Sequence, residues 1–294
     1  MSGTAAPSTA ALGRRVLAFT RRRFLALLVL LAPGAAAGAA LWPRDLPAPA
    51  SNGSNGIPPG DPTTSPAPTA GTPVSWAFGV DTTRCIGCGR CVEACKLENG
   101  VPFNPECNRT WVERHAVDAD GTEYVDSPHA GIDGFPPLST APGAATADIQ
   151  RSWFMPRLCM QCENPPCVGV CPVGATYRTA EGVVLVDQDR CVGCGYCVVA
   201  CPYGARYLIP AGASSPMGSA GVADKCTWCY HRITAGREPA CVEICPVGAR
   251  IFGDLSDPDS PIQAIVDQPD VSLLRPDLGT EPRVYYVGLE SEVA

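Results

Sequence analysis

Cys191-Val192-Gly193-Cys194-Gly195-Tyr196-Cys197-Val198-Val199-Ala200-Cys201-Pro202 sets four thiols at the spacing C-x2-C-x2-C-x3-C and follows the last with proline. Three sulfurs on so short a loop can reach three irons of one cubane of iron and sulfide. The fourth, one turn of chain further on, points away toward a neighbouring cluster. Cys85, Cys88, Cys91 and Cys95 repeat the spacing. Two more groups, Cys159, Cys162, Cys167, Cys171 and Cys226, Cys229, Cys241, Cys245, lengthen the gap before the third cysteine. These groups take sixteen of the seventeen cysteines, a set that fits four [4Fe–4S] clusters. The pattern is that of a wire for electrons.

Two commoner uses of clustered cysteines fit less well. A disulfide framework has no reason to place cysteines three apart, repeatedly, with proline after the last. A zinc site uses two C-x2-C pairs, which leaves the third cysteine of a C-x2-C-x2-C run without a role. Cys107 stands outside the pattern and reads as a free thiol in a loop.

Glycine and proline together number 61 of 294 residues, and only 17% are charged. That composition predicts many loops and few long helices, and it is poor at building a conventional core. Metal–thiolate binding can substitute, because its free energy becomes folding free energy; the apoprotein is therefore expected not to fold. The net charge of −7 hides an asymmetry: all five charges before residue 41 are arginines, and the remainder carries 17 basic against 29 acidic residues, a net of −12. With no basic patch interleaved with aromatics, nucleic acid is not an expected partner.

Residues 1–40 read as a targeting segment. Thr20-Arg21-Arg22-Arg23-Phe24-Leu25 matches the twin-arginine export motif, an apolar run follows from Leu25 to Leu41, and Ala37-Gly38-Ala39 offers a cleavage site. Clusters are inserted in the cytoplasm, so a protein carrying them outward must cross the membrane folded, as that route allows. The apolar run is 17 residues long and broken by Pro33-Gly34, short of the roughly 20 apolar residues a spanning helix needs. The expected location is the periplasm or the outer face of the cytoplasmic membrane, held through partners or an uncleaved N-terminus. Residues 41–74 are rich in Pro, Ser and Gly, and Ser51-Asn52-Gly53 recurs at once as Ser54-Asn55-Gly56; they read as a flexible linker.

Three groups end in the same punctuation: Cys171-Pro172-Val173-Gly174-Ala175, Cys201-Pro202-Tyr203-Gly204-Ala205 and Cys245-Pro246-Val247-Gly248-Ala249. Proline stops helix propagation after the ligand, and glycine permits the tight reversal that follows. A hairpin is expected from Thr176-Tyr177 to residues 183–186 through Glu181-Gly182, and another from residues 111–115 to 123–125 through Asp120-Gly121. Val92-Glu93-Ala94 and Val198-Val199-Ala200 suit single helical turns. Residues 127–150 and 210–221 read as polar insertions on the surface.

All sixteen cysteines in order, Cys159-Met160-Gln161-Cys162-Glu163-Asn164-Pro165-Pro166-Cys167, Lys225-Cys226-Thr227-Trp228-Cys229-Tyr230-His231-Arg232 and Pro239-Ala240-Cys241 carry a specific resemblance over residues 76–288. The chain resembles the four-cluster electron-transfer subunits of the complex iron–sulfur molybdoenzyme and polysulfide-reductase type. The fold this implies is α+β: two interleaved bacterial-ferredoxin-like dicluster modules with short hairpins, short helices and long loops. Residues 75–126 and 222–255 would form an outer module, 151–210 an inner one, and 256–294 a closing segment. The resemblance also implies swapped ligation. Cys85, Cys88 and Cys91 would share a cluster with Cys245, and Cys226, Cys229 and Cys241 one with Cys95. Cys159, Cys162 and Cys167 would pair with Cys201, and Cys191, Cys194 and Cys197 with Cys171. The first group has Lys96 in place of the following proline.

The implied role is an exported subunit passing electrons between a quinone-reactive polytopic membrane subunit and a molybdopterin catalytic subunit or a multihaem cytochrome. A free-standing soluble polyferredoxin is the alternative, and co-purification with a membrane protein discriminates between them. No nucleophile–base constellation or phosphate-binding loop is visible, so the chain reads as non-catalytic. His115, His129 and His231 lack a paired spacing and read as hydrogen-bonding or surface residues. Trp228 and Tyr230, between and beside ligands, read as shields against water.

Overall fold

Ala77-Phe78-Gly79-Val80 is an apolar run without alternation, as a strand covered on both faces requires. It forms the middle of β1 (Trp76–Asp81), buried from Ala77 to Asp81. The computed structural model describes residues 74–141, 143–144, 147–213 and 219–289. The expected twin-arginine leader, the linker up to residue 73 and the end of the closing segment lie outside the described residues.

β1 pairs antiparallel with β9 (Arg250–Asp254), placing Phe78 opposite Phe252, and parallel with β11 (Val284–Val287), placing Phe78 opposite Val284. β10 (Val271–Leu273) completes a four-stranded sheet of order β10-β11-β1-β9. The closing segment therefore supplies two strands to the sheet that begins the fold.

The hairpin expected after the first cysteine group forms as β2 (Thr110–Asp118) and β3 (Glu123–Asp126), antiparallel. Asp118 sets the turn, its Oδ1 accepting the backbone N–H of Asp120 at 3.0 Å and of Thr122 at 2.9 Å. A third strand not anticipated from the sequence, β4 (Ile149–Leu158), lies on the other side of β2, with His115 opposite Trp153. The hairpin before the third group also forms, as β5 (Thr176–Arg178) and β6 (Val184–Val186). A fourth sheet, β7 (Arg206–Leu208) with β8 (Ala223–Lys225), repeats it after that group.

The helices are short. α1 (Arg90–Glu98) buries Cys91, Val92, Cys95 and Lys96 along one face. α2 (Pro166–Gly169), α3 (Tyr196–Val199), α4 (Tyr230–Ile233), α5 (Ala240–Glu243) and α6 (Gln263–Val266) are single turns. The main core interleaves Phe78, Met155, Leu158, Trp228, Phe252 and Tyr286 with the buried thiols of Cys91, Cys159, Cys162, Cys226 and Cys241. Packing and cysteine chemistry share one interior.

The described residues between 127 and 150 lie mostly at the surface, as expected, but a few side chains anchor the segment. Ala130, Ala141 and Ala144 are buried, and Phe135 packs on Phe154 with ring centroids 4.9 Å apart. Small side chains in this insertion let it lie close against the neighbouring strands. Among the described residues, no helix is long and apolar enough to cross a membrane.

Candidate metal centres

In every group the backbone turns left-handed just before the second cysteine, at Gly87 (φ 67°), Gln161 (φ 48°), Gly193 (φ 70°) and Trp228 (φ 54°). That reversal folds the loop back so its thiols face inward. Glycine takes it without steric cost, whereas a residue with a Cβ loses about 1–2 kcal/mol. Gln161 offsets its cost by bridging two groups. Its Nε2 donates to the Cys226 carbonyl at 2.9 Å, and its Oε1 accepts the Val184 N–H at 2.8 Å. Trp228 offsets its cost by packing, with its ring 5.5 Å from Phe252 and the Arg283 guanidinium 5.1 Å from it. Trp228 is buried, as a shielding side chain should be; Tyr230 is half-buried and donates to Glu181 at 3.1 Å.

The recurring Cys-Pro-x-Gly-Ala turn also has a physical purpose. The glycine N–H returns to the cysteine carbonyl in all three copies, at 3.3–3.4 Å. The next amide then points at sulfur: Ala175 N–H lies 3.2 Å from Cys171 Sγ, and Ala249 N–H 3.3 Å from Cys245 Sγ. The first group, which lacks the proline, does this with a side chain. Its helix runs on to Asn99, whose Nδ2 lies 3.4 Å from Cys229 Sγ and 3.7 Å from Cys95 Sγ. Lys96, in the place of that proline, is buried, and its Nζ donates to the carbonyls of Pro102, Asn104 and Cys107. Cys107 is thus a buried free cysteine in a loop, held by its backbone.

Twelve of the sixteen cysteines come together across groups. Cys85, Cys88, Cys91 and Cys245 line one pocket, and Cys159, Cys162, Cys167 and Cys201 line another. Cys95 faces Cys226, Cys229 and Cys241 in the interior. Near Cys191 and Cys171 the tie is through the chain: Arg190 Nη2 donates to the Val173 carbonyl at 3.2 Å. The sets adjoin one another in succession. Cys91 neighbours Cys241, and Cys226 neighbours Cys159, while Arg206 lies beside Cys159, Cys167 and Cys197. The order is therefore the Cys85 set, the Cys226 set, the Cys159 set and the Cys191 set. Exposed cysteines occur only in the two end sets, at Cys88 and Cys194; all four of the Cys226 set are buried.

Burial pushes Cys85 up to about 11, and Cys162 and Cys226 up to about 12, with neighbouring thiols adding to it. Cys95 and Cys241 are raised for the same reasons. Left to themselves these sulfurs would stay protonated at neutral pH, and only a bound cationic group would hold them as thiolates. At Cys171 burial also pushes up, but the N–H groups of Thr176, Val173 and Ala175 outweigh it and hold the thiol low.

All seventeen cysteines are free of disulfides. Among the described residues no three of His, Cys, Asp and Glu converge on a single-ion site; the thiols stand back around a space. Buried N–H donors without a protein partner include Trp228 Nε1, Arg206 Nη2, and Arg250 Nε and Nη1, all beside these cysteines. The donor set fits a polyatomic iron–sulfur group with acceptor sulfides of its own. The histidines serve elsewhere. His115 lies between Glu123 at 2.7 Å and Glu113 at 3.3 Å, His129 is 3.3 Å from Asp133, and His231 is 2.7 Å from Glu98.

Two families, each described as a 4Fe-4S dicluster domain, match residues 84–175 and 150–255. A tetrathionate reductase subunit from Salmonella typhimurium is 41% identical over 73% of this chain and 73% of its own length. A polysulfide reductase component from Wolinella succinogenes is 36% identical over 72% of this chain and 95% of its own. The thiosulfate reductase electron transfer subunit of Salmonella typhi is 40% identical over 65% of this chain and 81% of its own.

Proposed function

From its membership of the ferredoxin-type, four-cluster electron-transfer subunits of molybdoenzyme-type reductases, to which this protein belongs, we propose a specific wiring and a specific place in such a complex. The chain carries four [4Fe–4S] clusters, which supply one-electron redox chemistry when bound. The proposed ligand sets are Cys85, Cys88, Cys91 with Cys245; Cys226, Cys229, Cys241 with Cys95; Cys159, Cys162, Cys167 with Cys201; and Cys191, Cys194, Cys197 with Cys171. Outer and inner modules at 75–126 with 222–255 and at 151–210 follow from this sharing.

The observation that carries the reading is the succession of adjoining sets, with seven of the eight middle thiols buried and the exposed Cys88 and Cys194 in the two end sets. A conductor needs that profile. The interior thiols exclude water, and each end offers an edge to a partner. The protein's own contribution is to hold the sulfurs in register, aim N–H groups at them and keep solvent out.

Electrons enter at one end from a quinone-reactive membrane subunit and leave at the other to a molybdopterin subunit or a cytochrome. The complex stands on the outer face of the cytoplasmic membrane, reached by the twin-arginine route. Anaerobic purification of the complex, with iron and sulfide analysis and partner identification, tests the reading. About sixteen irons per chain and a co-purifying polytopic subunit are expected. Half that iron, or a chain that purifies alone from intact membranes, would overturn it. Arg21→Lys with Arg22→Lys should strand the loaded protein in the cytoplasm, and its appearance outside would remove the export assignment.

A further inference from the structure

Among the described residues six arginines are buried, Arg109, Arg114, Arg206, Arg232, Arg250 and Arg283. Four of them face carboxylates: Arg109 with Asp224, Arg114 with Asp126, Arg232 with Glu98 and Glu243, and Arg283 with Glu163. Among the described residues, Arg206 and Arg250 form no ion pair. Each makes one hydrogen bond to a threonine hydroxyl, Arg206 Nη1 to Thr176 Oγ1 at 3.2 Å and Arg250 Nη2 to Thr110 Oγ1 at 2.8 Å. The remaining nitrogens include the orphan donors Arg206 Nη2, Arg250 Nε and Arg250 Nη1. Burying an unpaired guanidinium costs several kcal/mol, so some other anion must offset it.

Both arginines occupy the same place in the repeat, directly after Cys-Pro-x-Gly-Ala: Ala205-Arg206 and Ala249-Arg250. The third copy has Thr176 there, and that threonine is the residue Arg206 holds. Each arginine is placed at a junction. Arg250 lies beside Cys85 and Cys91 of one set and Cys241 of the next. Arg206 lies beside Cys159 and Cys167 of one set and Cys197 of the next. Lys225, opposite Arg206 across β7 and β8, spends its Nζ on the carbonyls of Val184 and Cys226 instead.

We propose that Arg250 and Arg206 are junction charges, each a permanent cation shared by two neighbouring cluster sites and holding the reduction potentials of both up together. Guanidinium never deprotonates in a protein, so the charge is present in every redox state. A positive charge favours the more negative, reduced form of whatever it faces. Because each arginine faces two sets, it raises two potentials without opening a large step between them. The inference rests on the ligand sets proposed above.

The test is a potentiometric titration followed by electron paramagnetic resonance on the intact complex, comparing wild type with Arg250→Gln, Arg206→Gln and the charge-retaining Arg250→Lys and Arg206→Lys. Arg250→Gln should weaken reduction of two clusters at least tenfold, about 59 mV for one electron, and leave the other two in place. Arg206→Gln should move the complementary two, and the lysine variants should shift less. Iron content is measured throughout. A shift confined to one cluster, spread evenly over all four, or absent in fully loaded variants would overturn the inference. So would loss of iron from both glutamine variants but neither lysine variant, since the charge would then serve assembly alone. Wild type is titrated first: fewer than four cluster signals there would remove the ligand sets themselves, a separate failure.

Discussion

Gly87 and Gly193 hold equivalent places in two loops of identical spacing, yet replacing them by alanine should have unequal results. Both have left-handed φ, at 67° and 70°, so either alanine costs about 1–2 kcal/mol of backbone strain. Their surroundings differ. A Cβ on Gly87 would meet the Phe154 ring at 2.5 Å, a half-buried side chain able to swing aside. A Cβ on Gly193 would meet the backbone carbonyl of Gly221 at 2.3 Å, where ordinary contact begins at 3.4 Å. Backbone cannot swing, so forcing it back adds about 1–3 kcal/mol, the usual cost of overpacking. Chelator-driven iron loss under anaerobic conditions reads this difference, because it follows the population of the opened loop when reclosing is fast. Gly87→Ala should hasten loss by roughly 5–30-fold, and Gly193→Ala by about a further fivefold or more. Equal rates, or a milder Gly193→Ala, would refute the claim that residue 221 is seated on the third cysteine loop.

Three further outcomes are expected. Asp224→Asn strands buried Arg109, which Asp224 holds at 2.9 and 2.7 Å, and should destabilise the protein by about 3–5 kcal/mol. Adding Arg109→Met should recover most of that loss, as judged by thermal bleaching of the visible absorbance. His115 is driven down by burial, but Glu113 and Glu123 outweigh this and raise it above 6.5. Its stabilising contribution is therefore full below about pH 6.5 and lost as pH rises through the raised value; hydrogen exchange in β2–β4 should speed up over that window, and His115→Gln should remove the dependence. Cys95→Ala should perturb the paramagnetic signal that Cys226→Ala removes; if it tracks Cys88→Ala instead, each group keeps its own cluster.

The cysteine groups were legible because ligand spacing is a local property, and so were the two hairpins, whose turns at Asp120-Gly121 and Glu181-Gly182 announce themselves. β4 was not. Its sequence, Ile149-Gln150-Arg151-Ser152-Trp153 onward, has no turn joining it to β2, and only tertiary pairing makes it a strand. The parallel pairing of β1 with β11 spans most of the described chain and leaves no local sign for the same reason. The junction arginines could have been found by aligning the three Cys-Pro-x-Gly-Ala copies, since two are followed by arginine. Their isolation from carboxylates could not, because Arg109 and Arg114 look no different in sequence and are paired. Gln161 and Trp228 stand where the other groups have glycine, a substitution that marks the two interior loops.

The pairing of β1 with β11, together with the proposed sharing of cysteines, imposes a timetable on synthesis. Once residue 201 has left the ribosome, the Cys159 and Cys191 sets possess every sulfur assigned to them. The Cys85 set must wait for Cys245 and the Cys226 set for Cys241, and β1 stays without its parallel neighbour until residue 287 is made. At ordinary elongation rates the wait from Cys95 to Cys245 is on the order of ten seconds. During that interval four early thiols are presented bare to oxygen, stray metal and each other, while the later-encoded half of the molecule is already being closed. On that sharing, the ligand sets are completed from the middle of the sequence outward, and the earliest cysteines translated belong to the last sets completed.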